Sequence, residues 1–367
     1  MAERKSEAVW IENRKRWQIN AQSDGERRTF VCATPGRKGK IAAEKKADKW
    51  LEEKLVGENT KCEVLLDKYF NHVKATTTKA NWRQIDNYVR NHIKPVIGRK
   101  KIGRLTENDL QDVIDQAYSS GLAKKTLSNI RACLMAFMKF CRRSNATKLH
   151  PEGIVIPNGA KRSSKSIADP DDLKVLFSSD QTTWRSTIRF DRYIHAYRFA
   201  ALTGIRPGEL LGLKWSDIDG EKISIRRALN DDDEFTVGKN ENAQRTFVVK
   251  GLAKSELDQQ HMQLLRDGIL SEFVFPDKHA EFTKQHTFRR FWNRYRSYNN
   301  ISGITPYELR HTFVSVNDEM PEGLKKKVIG HSPNMDTEGT YGHAIAGDME
   351  RAAQYSDNAF RRILGEK

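Results

Sequence analysis

Cysteine is scarce in this chain: four thiols, Cys32, Cys62, Cys133 and Cys141, in 367 residues. They show neither Cys-x-x-Cys pairing nor the density of a disulfide scaffold, so they read as reduced and mostly buried. Long apolar runs are missing too. No stretch approaches the roughly 18 apolar residues a spanning helix needs, and mean hydropathy is -0.72. The opening Met1-Ala2-Glu3-Arg4-Lys5-Ser6-Glu7 lacks the apolar core of a secretion signal, so the expected location is the cytoplasm, with no membrane partner. The glycine-bearing turn Gly36-Arg37-Lys38-Gly39-Lys40 is too short for a phosphate-binding P-loop and lacks its Lys-Ser/Thr ending. His311, His331 and His343 have no i, i+4 pair on a helix face and no acidic or thiolate companion, so no metal site is expected. No internal repeat is present.

What is abundant is positive charge. Sixty-four Lys and Arg against 48 Asp and Glu give +16, which favours a polyanionic partner. The length suits two or three domains. Toward the C-terminus three short stretches follow one another: Thr203-Gly204-Ile205-Arg206-Pro207-Gly208-Glu209, then Tyr307-Glu308-Leu309-Arg310-His311-Thr312, then Gly330-His331-Ser332 with Thr340-Tyr341-Gly342-His343. Each alone reads as ordinary structure; Gly204 can end one helix, and Pro207 with Glu209 can start another. Together they assemble the groups that break a phosphodiester covalently. Arginine grips two non-bridging oxygens with a charge it never loses, and a phenol oxygen can carry phosphate as an ester.

In this order the stretches resemble the tyrosine recombinases, the phage-integrase family, from Ala168 to the end firmly and over the first half more loosely. Carried over residue by residue, the resemblance gives Arg206 and Arg310 the phosphate clamp, Tyr341 the nucleophile, His331 a contact to the scissile phosphate and Glu209 a bracing role. Lys239, in Val237-Gly238-Lys239-Asn240, matches the hairpin lysine that protonates the leaving 5′ oxygen; Lys250 is its competitor beyond the strand. Tyr307 stands where the family usually has histidine, and His311 orients the loop. Tyr355 is a rival nucleophile without the preceding Gly-His box. No cofactor is implied.

Ahead of this region, Arg16 to Ala21 and Thr29 to Cys32 alternate around Asp24-Gly25, a strong hairpin signal. A strand at Val9 to Ile11 completes a three-stranded sheet, and Ala43, Ala47, Trp50, Leu51 and Leu55 predict a helix from Ala42. From Lys61 to Pro151 the pattern is helical: Leu65, Tyr69 and Val73 share one face and Trp82, Ile85, Val89 and Ile93 another, with a stop near Pro95. Thr106 and Asp109 form a capping box, and Leu127, Ile130, Leu134 and Phe137 mark a further helix. Lys79, Arg83, Lys124, Lys125, Arg131 and Lys139 face outward. Asn158 to Ser166 is small, polar and basic, as a linker is, Asp169-Pro170 starts the next helix, and Lys222 to Ile225 and Arg245 to Val249 alternate as strands.

The resemblance turns these segments into an expected plan, multidomain and mainly α. Residues 1–58 form a three-stranded β-sheet plus helix that binds arm-type DNA, with Trp17, Lys38 and Lys40 as contacts. Residues 61–151 form a helical core-site DNA-binding domain, residues 152–166 a linker, and residues 167–367 a mostly helical catalytic domain with a small β-sheet. The last helix, with Met349, Ala352, Ala353, Phe360, Ile363 and Leu364 apolar, docks on a neighbour in a tetramer or on its own domain. Expected partners are double-stranded DNA at core and arm sites, three further copies of the chain, an excisionase and a host DNA-bending protein, all at the nucleoid. A type IB topoisomerase or a non-enzymatic DNA-binding regulator are the competing readings.

Overall fold

The computed structural model describes residues 7–23, 26–54, 57–162, 166–237, 244–330 and 347–366, and it divides into two compact units, Met1–Ser164 and Lys165–Lys367. Both are mainly helical with small sheets.

The first unit opens with an antiparallel sheet, β1 (Val9–Ile11), β2 (Arg16–Ser23) and β3 (Glu26–Cys32), in the order β1-β2-β3. β2 and β3 pair as far as Ser23↔Glu26; Asp24-Gly25 itself lies outside the described residues. α1 (Gly36–Lys54) covers the sheet, burying Ala43, Ala47, Trp50 and Leu51 against Ile19 and Ala21. The basic segment Gly36 to Lys40 is therefore the first turn of this helix rather than a turn before it. Gly39 explains the difference: a Cβ there would sit 1.7 Å from the Thr34 carbonyl oxygen, so only glycine lets the helix begin so close to the strand exit.

A separate core follows. α2 (Cys62–Thr76), α3 (Lys79–Tyr88), α4 (Lys94–Ile97), α5 (Glu107–Ser119) and α6 (Lys124–Arg143) bury Leu65, Tyr69, Ile93, Leu110, Leu127, Ile130, Leu134 and Phe137 among themselves. The helix stops two residues past Pro95, at Ile97. A π turn at Val89–Ile93 joins α3 to α4, and Pro95 falls in the first turn of α4, where its missing N–H is tolerated. Thr106 and Asp109 form the capping box of α5. Cys62, Cys133 and Cys141 are buried free thiols, and burial pushes Cys133 up to about 12.

The stretch after α6 is less free than its composition suggests. Glu107 on α5 accepts from the backbone N–H of Glu152 and Gly153, Gln111 bonds Val155 through both its amide N–H and its carbonyl, and Ile154 and Ala160 are buried. Residues 152–161 thus form a strap on the helical core, because a backbone leaving α6 must satisfy its polar groups somewhere.

In the second unit, α7 (Pro170–Ser178) starts at Asp169, whose carboxylate accepts from Asp172 N at 2.8 Å. β4 (Gln181–Trp184) and β5 (Thr187–Phe190) form a hairpin absent from the sequence reading. α8 (Ile194–Thr203) is buried along its whole length and forms the axis of the unit. α9 (Pro207–Leu211) follows directly, then β6 (Ile218–Asp219), β7 (Lys222–Ile225), the short pair β8 (Ala228–Leu229) and β9 (Phe235–Thr236), and β10 (Arg245–Val248). β10, β7 and β6 make one antiparallel sheet, with Phe247 opposite Ile223. α10 (Gly251–Arg266), α11 (Gln285–Tyr298), α12 (Pro306–Val316), α13 (Glu322–Ile329) and α14 (Asp348–Leu364) complete it. α14 packs on its own unit: Phe360 is buried against Phe177, Ser356 Oγ donates to Leu202 O at 2.9 Å, and Asp357 accepts from Leu252 N at 2.8 Å. Among the described residues no helix is long and apolar enough to cross a membrane.

Candidate active site

The site grows from the C-terminal end of α8. Gly204 there is left-handed, with φ +63°, and a Cβ on it would fall 2.6 Å from the Phe313 ring of α12. Glycine therefore serves twice, ending α8 and letting α12 press against it. Two residues later Arg206 is the N-cap of α9, with Pro207 in the first turn. Its guanidinium donates to Glu209 Oε1 at 2.7 Å, and its backbone N–H donates to Glu209 Oε2 at 3.1 Å.

Arg310 stands one turn into α12, whose start is fixed by Thr305 and Glu308. It is 2% exposed, donating through Nη1 to Gly204 O at 2.8 Å and through Nη2 to Ile329 O at 2.7 Å. Those carbonyls end α8 and α13, where aligned peptide dipoles leave partial negative charge that a cation offsets. Burial, followed by the charges of Arg206 and Arg245, pulls Arg310 down to about 10, so it keeps its charge at neutral pH.

A third arginine completes the cluster. Arg245, first residue of β10, holds both oxygens of Glu209, at 3.0 and 2.9 Å, and donates through Nε to Val328 O at 2.6 Å. Arg206 Nη2 donates to Gly330 O at 3.1 Å. Three consecutive carbonyls at the end of α13, those of Val328, Ile329 and Gly330, are thus each taken by a different arginine. Glu209, 3% exposed, sits amid them; burial pushes its carboxyl up, but the Arg245 hydrogen bonds and the Arg245 and Arg206 charges outweigh it and leave it below the usual carboxylate range. Three cations around one anion leave a net positive site, suited to an oxyanion whose charge grows during reaction.

Of the residues singled out from sequence, Arg206, Glu209 and Arg310 come together. Tyr307, 48% exposed, lies one turn before Arg310, its ring edge-on to His311 at 5.3 Å. Lys239, His331, Tyr341 and His343 lie outside the described residues. Lys250 is the N-cap of α10, and the rival Tyr355 stands on α14. Among the described residues no cluster of His, Cys, Asp and Glu could hold a metal ion. Arg245 escaped the sequence reading, although alternation along β10 puts it on the face of buried Phe247.

The DNA-contact candidates divide. Lys38, Lys79, Arg83, Lys125, Arg131 and Lys139 are exposed, whereas Lys124 is half-buried. Lys40 pairs with Glu7 at 2.6 Å, and Trp17 is half-buried at the edge of the first core, its ring 5.5 Å from Trp10. Trp17 therefore has a packing role, as its place on the strand face shared with Ile19 requires.

Comparison with known proteins places this geometry. Residues 169–346 match the phage integrase family, and residues 63–117 match a phage integrase N-terminal SAM-like domain. A tyrosine recombinase XerC-like protein of Caldanaerobacter subterraneus is 23% identical over 325 residues, covering 79% of this chain and 81% of the relative. The ICEBs1 integrase of Bacillus subtilis is 24% identical over 301 residues, covering 77% and 78%. Among solved structures, the Tn1549 transposon integrase in complex with transposon right end DNA aligns with TM-score 0.63 at 19% identity, over 80% of this chain and 98% of that one. A lambda integrase tetramer bound to a Holliday junction aligns with TM-score 0.60 at 16% identity, over 90% and 96%. Both share the fold.

Proposed function

The chain belongs to the phage integrase family of tyrosine recombinases, site-specific enzymes of DNA recombination, and from that premise we propose that it integrates and excises a prophage or an integrative, conjugative element. The observation that carries the reading is the cluster in which Arg206 is held by Glu209 and by Gly330 O, and Arg310 by Ile329 O at the same carbonyl end of α13. The names of two similar proteins, the ICEBs1 integrase and the Tn1549 transposon integrase, favour a mobile element.

In this scheme Arg206 and Arg310 neutralise the charge that builds on the non-bridging oxygens of the scissile phosphate, and His331 adds a donor. Tyr341 Oη attacks phosphorus and loses its proton; the bond to the 5′ oxygen breaks, and Lys239 protonates that oxygen. The products are a 3′-phosphotyrosyl bond and a free 5′ hydroxyl. Attack by another strand's 5′ hydroxyl reverses the step and rejoins DNA without ATP. Positioning and preorganised charge supply the acceleration. The exposed cations Lys79, Arg83, Lys125, Arg131 and Lys139 are proposed contacts to the core-site backbone, and Lys38 and Lys40 to arm DNA, with four copies acting together as in the lambda integrase tetramer.

The test uses the full chain and a supercoiled plasmid library with random inserts. Denaturation followed by capture of protein-bound DNA should recover one family of insert sequences, and Tyr341→Phe should recover none. Adducts that persist in Tyr341→Phe would remove the assignment of the nucleophile. Relaxation of every plasmid without sequence preference would instead favour a topoisomerase.

A further inference from the structure

We infer that Arg245 is a positioning residue for strand cleavage, setting the orientation of Arg206 through Glu209; this rests on the reading of Arg206 and Arg310 as the phosphate clamp. The side chain of Arg245 is 8% exposed, and each of its three nitrogens is engaged within the protein, Nη1 and Nη2 on the two oxygens of Glu209 and Nε on Val328 O. It therefore does not reach for a phosphate. Arg206, 32% exposed on the same carboxylate, is the open member of the pair.

The geometry explains why an arginine stands here. Glu209 Oε1 accepts from both Arg206 Nη1 and Arg245 Nη1, and Oε2 accepts from Arg206 N and Arg245 Nη2. Without Arg245 the carboxylate could rotate toward Arg206 alone, and the guanidinium it steers would turn with it. Val328 O would also lose its cap, next to the two carbonyls that hold Arg310 and Arg206. A planar fork spans two carboxylate oxygens and a carbonyl at once; the point charge of a lysine cannot.

The decisive experiment measures single-turnover cleavage by the full chain of a nicked duplex carrying the sequence captured above, with noncovalent binding by gel shift and thermal melting alongside. Arg245→Lys keeps the charge and loses the fork; Arg245→Gln is the second variant. Cleavage at saturating DNA should fall about a hundredfold in Arg245→Lys, the loss expected from misplacing a reacting group by about 1 Å, while DNA affinity stays near that of the parent. The melting temperature drops as buried hydrogen bonds to Glu209 and Val328 O are lost, so cleavage is read well below the variant's transition. The double variant Arg206→Lys/Arg245→Lys should be no slower than Arg206→Lys alone, because residues acting through one another are not additive. Additive losses would show that Arg245 acts on the substrate independently. Affinity falling in step with the rate, at a temperature where the variant is fully folded, would show a purely structural role. Either result overturns the inference, as does an Arg245→Lys as fast as the parent. A parent that forms no tyrosyl adduct removes the underlying reading instead, so the two failures are distinguishable.

Discussion

Among the described residues Glu209 is the only carboxylate bonded within the three-arginine cluster, so its removal has a calculable consequence. It is 3% exposed and receives two hydrogen bonds from Arg245, one from the Arg206 guanidinium and one from the Arg206 backbone. Breaking a buried pair by deleting one partner costs about 3–5 kcal/mol, because the other charge stays buried and uncompensated. Most of this belongs to Arg245; Arg206 is about one-third exposed, and water screens its share. For a unit of this size about 2–4 °C of melting temperature goes with each kcal/mol, so Glu209→Ala should melt about 6–20 °C lower. Glu209→Gln, which retains an acceptor oxygen, should lose roughly half of that.

The pH dependence has a definite sign. The folded-state pKa of Glu209 lies below its unfolded value of about 4.3. The stabilisation is therefore complete above the unfolded pKa and disappears as pH falls through the folded one. The melting gap between parent and Glu209→Gln should hold steady from neutrality to about pH 6 and close progressively below about pH 4. Differential scanning calorimetry of the full chain, following the transition that shifts, reads both quantities. A Glu209→Ala protein melting within about 2 °C of the parent, less than 1 kcal/mol at this size, or a gap unchanged in acid, would refute the argument.

Two further expectations concern the chemistry. Tyr307→Phe deletes only a donor hydroxyl on a half-exposed ring; if that hydroxyl bonds the phosphate, single-turnover cleavage should slow by about ten- to a thousandfold, and a variant as fast as the parent would show that Tyr307 merely packs. Cleavage should proceed fully in excess EDTA, since arginines and a lysine supply the positive charge that metals provide elsewhere; an enzyme silenced by chelator and rescued by magnesium would contradict the scheme.

Where the sequence was legible, spacing and residue chemistry both carried the information. Arg206 and Arg310 stand out because each sits in a short motif with its own helix start, and the structure has the capping box at Thr106 and the helix start at Asp169-Pro170 that the sequence predicts. The β4–β5 hairpin was not legible for a specific reason. Its two turn residues, Arg185 and Ser186, both adopt positive φ, 48° and 65°, a conformation usually announced by Asn-Gly or Asp-Gly. Without those residues nothing in the segment Gln181 to Phe190 announces a hairpin. The π turn at Val89–Ile93 was hidden likewise, because it is a backbone adjustment with no residue signature of its own.

Arg245 failed to register for a deeper reason. A motif names residues that meet the substrate, whereas Arg245 meets only protein, and its partners lie 36 and 83 positions away. Nothing local marks a strand arginine as the third cap on one helix end. Yet the end of α13 required such a cap. Three successive carbonyls drawn together beneath a cluster of helix ends must be satisfied, and each is satisfied by a guanidinium that also touches, or lies beside, Glu209. The same cations that finish the helix are those the reading assigns to the phosphate or to its support. Fold and site are therefore one electrostatic unit here: a substitution that loosens the carbonyl end of α13 should disturb the clamp, and one that removes a clamp arginine should fray α13.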